Sequence, residues 1–165
     1  MQKRILYLLV LSLLVSLSCC SKDGDETNID LNIDLFVLDQ KGNDLLNFNS
    51  DNAMDLSQIR VFYRERGSFV EFYQSNLDAQ RGYFLIPPNM IYDKYSLRLF
   101  VSPSIEYEDK SVTIIKWNDY ESDTIITQIH KGENSEVGIE YWINGKTPDW
   151  IDRGRKISKI VKIKE

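Results

Sequence analysis

The most informative absences in this 165-residue chain are those of the side chains that most often do chemistry. Its two cysteines, Cys19 and Cys20, are adjacent near the N-terminus, so the rest of the chain offers no disulfide, thiolate nucleophile or cysteine metal ligand. His130 is the only histidine, and no serine lies in the Gly-x-Ser-x-Gly turn that presents a hydrolase nucleophile. The sequence therefore predicts no catalytic residue and argues against an enzyme.

Metal-binding patterns are equally sparse. With one histidine and no cysteine in the body, carboxylates and amides are the main possible ligands, which favours calcium or magnesium over zinc. The segment beginning at Asn47 resembles the start of a calcium loop, but Asn52 stands where glycine is needed and Gln58 where a bidentate glutamate is needed. We predict neither a metal site nor a cofactor.

Positive charge is also in deficit, because 20 lysines and arginines face 25 acids and the net charge is -5. A surface of that sign repels phosphate backbones, so no nucleic-acid partner is expected.

The N-terminal segment has its own composition. Lys3 and Arg4 precede an uncharged stretch, Ile5 to Ser18, which is shorter than the roughly 20 apolar residues that span a bilayer and is typical of an export signal. The sequence Leu-Ser-Cys-Cys at 17–20 resembles the lipobox of bacterial lipoproteins. The resemblance implies a signal peptide over 1–19 and an acylated Cys20. The alternative is Cys19, which would place serine where the lipobox has leucine.

The residues after Cys20 extend that resemblance. Ser-Lys-Asp-Gly-Asp-Glu at 21–26 is similar to the acidic export segment of Bacteroidales-type surface lipoproteins, with a glycine interrupting the acidic run. The similarity implies a domain held on the outer membrane by its lipid and facing the cell exterior, with 20–28 as a flexible acidic tether. Removing residues 1–19 would discard two cations and no acid, which changes the net charge from -5 to -7.

The remaining chain suits a single domain and shows the period-two alternation of β-strands. Gly67 would allow a tight hairpin turn between the second and third strands, and Pro87 ends the fourth. The predicted strands span 29–38, 59–63, 69–73, 83–86, 95–101, 112–117, 124–130 and 137–143.

Short strands at this spacing indicate an all-β fold, which we predict to be an antiparallel β-sandwich over 29–155. It would be immunoglobulin-like or transthyretin-like, the latter because residues 34–43 resemble the opening strand and turn of transthyretin-like domains. A small β-barrel is the alternative. Residues 156–165 are predicted as a basic edge strand or a tail.

Aromatic residues give the remaining indication of function. Flat rings on an anchored domain can stack on sugars or hold a protein partner, and the candidates are Trp117, Tyr120, Trp142 and Trp150. We predict a non-enzymatic binding module of a bacterial envelope with a glycan or protein ligand, attached to the membrane by its lipid. The alternative is a small-molecule carrier or small hydrolase with a concave pocket. An interior cavity surrounded by Leu, Ile and Phe side chains would favour the alternative over a filled sandwich core.

Overall fold

The computed structural model describes residues 27–162, so the predicted signal peptide, both cysteines and most of the tether lie outside the described residues. The described chain forms one short 3-10 helix, Leu56–Gln58, and eleven strands. The strands are β1 (Asn28–Asp30), β2 (Asn32–Asp39), β3 (Arg60–Glu65), β4 (Ser68–Glu71), β5 (Tyr83–Ile86), β6 (Ser96–Phe100), β7 (Lys110–Lys116), β8 (Ser122–Gly132), β9 (Ser135–Ile143), β10 (Asp149–Asp152) and β11 (Ile157–Lys162).

The strands make two sheets that enclose one core, in the orders β1-β9-β8-β7-β3-β4 and β10-β11-β2-β6-β5. The all-β sandwich prediction is confirmed, and the sheets do not close into the alternative barrel. Both sheets are mixed rather than purely antiparallel, because β1 pairs in parallel with β9 and β11 in parallel with β2.

The first predicted strand is divided between the two sheets. The pattern over 29–38 predicts one continuous strand, but the chain leaves β9 after Asp30, buries Leu31 and joins β6 and β11 as β2. Alternation continues through the crossing, which is why the sequence pattern does not reveal it. Ile33, Leu35 and Val37 of β2 then supply the centre of the core.

The C-terminal segment is an inner strand and not an edge or a tail. β11 lies between β2 and β10, and its Ser158, Ile160 and Lys162 are buried. β10 itself was predicted as loop. Residues 156–162 therefore belong to the sandwich rather than following it.

The hairpin between β3 and β4 is confirmed. Arg66 and Gly67 both have positive φ, 50° and 82°, which is the backbone of a two-residue type I′ turn. Glu65 pairs with Ser68 across it. After β4, residues 72–82 carry the chain from one sheet to the other and leave an opening between them.

Candidate functional site

The four predicted aromatic residues do not form one surface. Trp117 is 1% exposed and belongs to the core, whereas Tyr120 is 99% exposed on the turn between β7 and β8. Trp142 and Trp150 are half-buried and line the same small cleft. Only the last two can therefore meet a ligand together.

That cleft, here called the tryptophan cleft, has a volume of about 130 Å³ and is lined by Trp142, Trp150, Tyr141 and Arg153 among others. It opens because β1 pairs with β9 only as far as Val137, which leaves the rest of that edge facing β10. Trp150 meets the ring of Tyr141 edge-on, with 6.2 Å between centroids. Its volume is below the range of about 300 to 1,000 Å³ that is common for ligand pockets.

The cations that line the tryptophan cleft are paired with acids of the same chain. Arg153 Nη2 lies 3.3 Å from Glu140 Oε1, and Lys156 Nζ lies 2.6 Å from Asp30 Oδ2. The Tyr141 hydroxyl donates to the carbonyl of Asn32 at 2.9 Å, and burial raises the pKa of Tyr141. The polar groups here are mostly paired within the chain.

Trp117 is part of a buried charge network, here called the Lys162 cluster: Lys162, Asp123, Glu121, Trp117 and Asn144. Lys162 is 5% exposed, and its ammonium donates to Asp123 and lies 3.1 Å from Glu121 Oε1. The Trp117 indole N–H donates to Asp123 Oδ2 at 2.6 Å, and the Asn144 amide donates to Oδ1 at 2.6 Å. Every charge is compensated by a neighbour, as burial requires.

A polar pocket of about 230 Å³ lies beside the Lys162 cluster. Its wall includes Asp55, which caps the 3-10 helix by accepting bonds from the backbone and hydroxyl of Ser57 and from the amide of Gln58. The Ser57 and Gln58 donors lower the pKa of Asp55. The carboxylate is thus engaged in capping rather than free for a ligand.

A third concavity, larger than these two, is an apolar groove of about 670 Å³. Its walls come from β1, β3, β5, the end of β6 and the segment 72–82, so it uses residues far apart in the sequence. We define the apolar groove by its principal side chains, which are Ile29, Tyr63, Phe72, Leu77, Phe84 and Phe100.

Packed aromatic rings give the apolar groove its shape. Tyr63 and Phe72 have ring centroids 4.7 Å apart, Phe84 and Phe100 5.7 Å apart, and the Tyr63 hydroxyl donates to the Phe100 carbonyl at 3.0 Å. Gly82 lies against this wall with φ at 76°, and a Cβ there would stand 3.1 Å from Phe72. The aromatic wall is therefore held by the fold.

The other side of the apolar groove is exposed. Ile29 is 65% exposed and Leu77 is 42% exposed, although both side chains are large and apolar. Its polar lining includes Glu65, Asp78 and Glu136 and no lysine, arginine or histidine. The groove combines apolar contact area with negative charge.

The described residues do not assemble a metal centre. His130 is exposed on β8, and no group of three His, Cys, Asp or Glu in 27–162 is arranged to hold a metal ion. Over the same range, no helix is long and apolar enough to cross a membrane.

Sequence reasoning missed the apolar groove because its wall is assembled by tertiary structure. Leu77 was the one available signal, since it is a large apolar side chain within a polar loop, 73–81. Comparison with protein-family models, with curated proteins and with solved structures found no match to this chain.

Proposed function

We propose that this chain is an exported, lipid-anchored binding module of a bacterial envelope, displayed on the cell exterior and without catalytic activity. The lipobox-like residues 17–20 and the acidic segment after them support the anchor and the location. The apolar groove supports the binding role, and it is the single observation on which that role depends.

The size and exposure of the apolar groove are those of a ligand site. Binding pockets are commonly about 300 to 1,000 Å³ with mainly apolar and aromatic walls, and the groove has both properties. Exposed apolar side chains that gather at one place, such as Ile29 and Leu77, are typical of interaction surfaces. The smaller tryptophan cleft, with Trp142 and Trp150, stays a predicted contact for a sugar ring.

The position of the apolar groove fits an envelope ligand. Ile29 lines it, and the seven Cα–Cα steps from Cys20 to Thr27 can span at most about 24 Å when extended. An anchor at Cys20 would keep the groove close to the membrane. Ligands would then be other components of the envelope or molecules that reach its surface.

Binding is tested with the full-length chain in nanodiscs of zwitterionic lipid and a neutral fluorescent naphthylamine dye, after subtraction of empty nanodiscs. We expect saturable binding that is weakened by Ile29→Ala with Leu77→Ala. Ile91→Ala with Val161→Ala is the matched control, because both residues are exposed and lie outside the groove. Equal dye binding by the two double variants would contradict the assignment of the groove.

The anchor is tested separately by metabolic labelling with a radioactive fatty acid. We expect label in the wild-type chain and in Cys19→Ser, and none in Cys20→Ser. Label retained by Cys20→Ser but lost by Cys19→Ser would assign the attachment site to Cys19. No label in the wild type would contradict the proposed lipid anchor. Digestion by protease added to intact cells then tests surface display.

A further inference from the structure

We propose that the occupant of the apolar groove is a polypeptide segment of a partner protein whose apolar side chains are interspersed with lysine or arginine. This inference rests on the groove being the ligand site, as proposed above, and it names the chemical class of the ligand. Three features of the groove support this ligand: the sign of its charge, the lack of partners for two of its carboxylates, and its apolar surface.

The charge of the apolar groove has one sign. Three acids, Glu65, Asp78 and Glu136, contribute to its lining, and no basic residue does. Charges around an interface steer partners of opposite sign and exclude those of the same sign. A cationic ligand is therefore favoured over an anionic one.

Two of these carboxylates have no internal partner. Glu136 accepts a bond from Lys131 at 2.8 Å, but the side chains of Glu65 and Asp78 are exposed and make no hydrogen bond or ion pair with another described residue. Arg98 lies over the Phe84 ring, 5.7 Å from its centroid, but its charge is paired with Asp34 at 2.7 Å. Glu65 and Asp78 are thus the groups that a ligand cation can pair with.

The apolar part of the groove requires a ligand that also carries hydrophobic groups. Phe72, Phe84 and Phe100 present ring surface beside the exposed Ile29 and Leu77. Aromatic and aliphatic side chains that fill such surfaces supply most of the affinity of an interface, and charges at the rim supply specificity.

The same charges argue against anionic lipids as the occupant. A fatty acid would bring its carboxylate beside Glu65 or Asp78, and the anionic headgroups of membrane lipids would meet the same repulsion. A segment with alternating apolar and basic side chains matches both the apolar surface and the carboxylates of the groove. Its apolar side chains contact the rings while its cations reach the rim.

Fluorescence anisotropy tests this with two labelled peptides, one alternating leucine with lysine and one alternating leucine with glutamate. The protein is the full-length chain in zwitterionic nanodiscs, with empty nanodiscs as the baseline. We expect the lysine peptide to bind and to weaken as salt is added, since rim charges are screened. The glutamate peptide is expected to bind at least about tenfold more weakly, because two unfavourable contacts replace two favourable ones.

Paired variants assign the effect to the groove. Glu65→Gln with Asp78→Asn is expected to weaken the lysine peptide about fivefold, as loss of two exposed ion pairs implies. Asp51→Asn with Asp119→Asn removes the same charge from exposed positions outside the groove, and is expected to leave affinity unchanged.

The outcomes separate this inference from the proposed function. Equal affinity for both peptides, equal effects of the two charge variants, or no binding of the lysine peptide would overturn the cationic polypeptide. The groove would still stand as a ligand site if the neutral dye distinguished Ile29→Ala with Leu77→Ala from its control. Loss of that distinction would overturn the groove, and this inference with it.

Discussion

The two ends of the sandwich differ in how their charged and apolar side chains are buried and paired. Strand register places the Lys162 cluster beside Asp39 at one end of β2, and the apolar groove beside Asn32 and Phe100 at the other. At the first end, the buried charges of Lys162 and Asp123 compensate each other inside the chain. At the second, Ile29 and Leu77 are exposed, and the exposed carboxylates of Glu65 and Asp78 have no partner among the described residues.

This difference separates residues that stabilise the fold from residues available for binding. A buried charge that is already paired gains little from a ligand, and its removal damages the protein. An exposed apolar side chain contributes little to the stability of the fold. When a ligand covers it, the burial of its surface makes the free energy of binding more favourable. Trp117 and Leu77 illustrate the contrast, since the tryptophan predicted as a ligand contact is in the core and the leucine that was overlooked lines the groove.

The largest expected effect is at the charged end. Lys162→Met leaves Asp123 buried without its ammonium partner and should lower the free energy of unfolding by about 3 to 5 kcal/mol. Lys159→Met is the control on the same strand, because its pair with Asp149 is exposed and should be worth less than about 1 kcal/mol. Urea denaturation followed by tryptophan fluorescence measures both, and equal losses would contradict the assigned role of the cluster.

A smaller loss of unfolding free energy is expected at the aromatic wall of the apolar groove. Tyr63→Phe removes the hydroxyl that donates to the Phe100 carbonyl, which should cost about 1 kcal/mol of unfolding free energy. Tyr107→Phe is the matched control, since its hydroxyl bonds to Glu108 in solvent and its loss should cost almost nothing. If both variants had the same urea midpoint of unfolding as the wild type, the bond from Tyr63 to Phe100 would not stabilise the aromatic wall.

At the exposed wall, stability and binding should separate. Leu77→Ala is expected to change the free energy of unfolding by less than about 0.5 kcal/mol, as for most exposed positions. Leu99→Ala, in the core, should cost about 2 to 5 kcal/mol. A Leu77→Ala loss in that same range would show that the groove wall is part of the folding core and would weaken its assignment as a binding surface.

The elements predicted from the sequence are those whose information is local. The β3–β4 hairpin depends on Arg66 and Gly67 between two apolar runs, and β5 ends at Pro87, so both could be read from neighbouring residues. β11 could be identified as a strand, but its place depends on parallel pairing with β2, more than a hundred residues earlier. The crossing at Leu31 preserves alternation and leaves no signal.

The candidate site was less predictable for the same reason. Composition indicates that aromatic rings are abundant, but not whether Trp117 or Tyr120 points outward. The apolar groove joins Ile29, Leu77 and Phe100, which come together only when both sheets have formed. Charge pairing is equally non-local, so the free carboxylates of Glu65 and Asp78 could not be distinguished from the other acids.

The smallest expected effect concerns pH at the charged end. Bonds from Ser57 and Gln58 lower the pKa of Asp55, so this exposed cap stabilises the fold above the ordinary aspartate pKa and loses that contribution as pH falls through the lowered value. Ser57→Ala with Gln58→Ala should return the Asp55 pKa toward its ordinary range and reduce the acid sensitivity of the 3-10 helix. Carboxyl-detected NMR titration measures the pKa directly. An Asp55 pKa unchanged by the double variant would mean that the side-chain bonds from Ser57 and Gln58 are not its cause, since only the backbone N–H at 57 would remain as a donor.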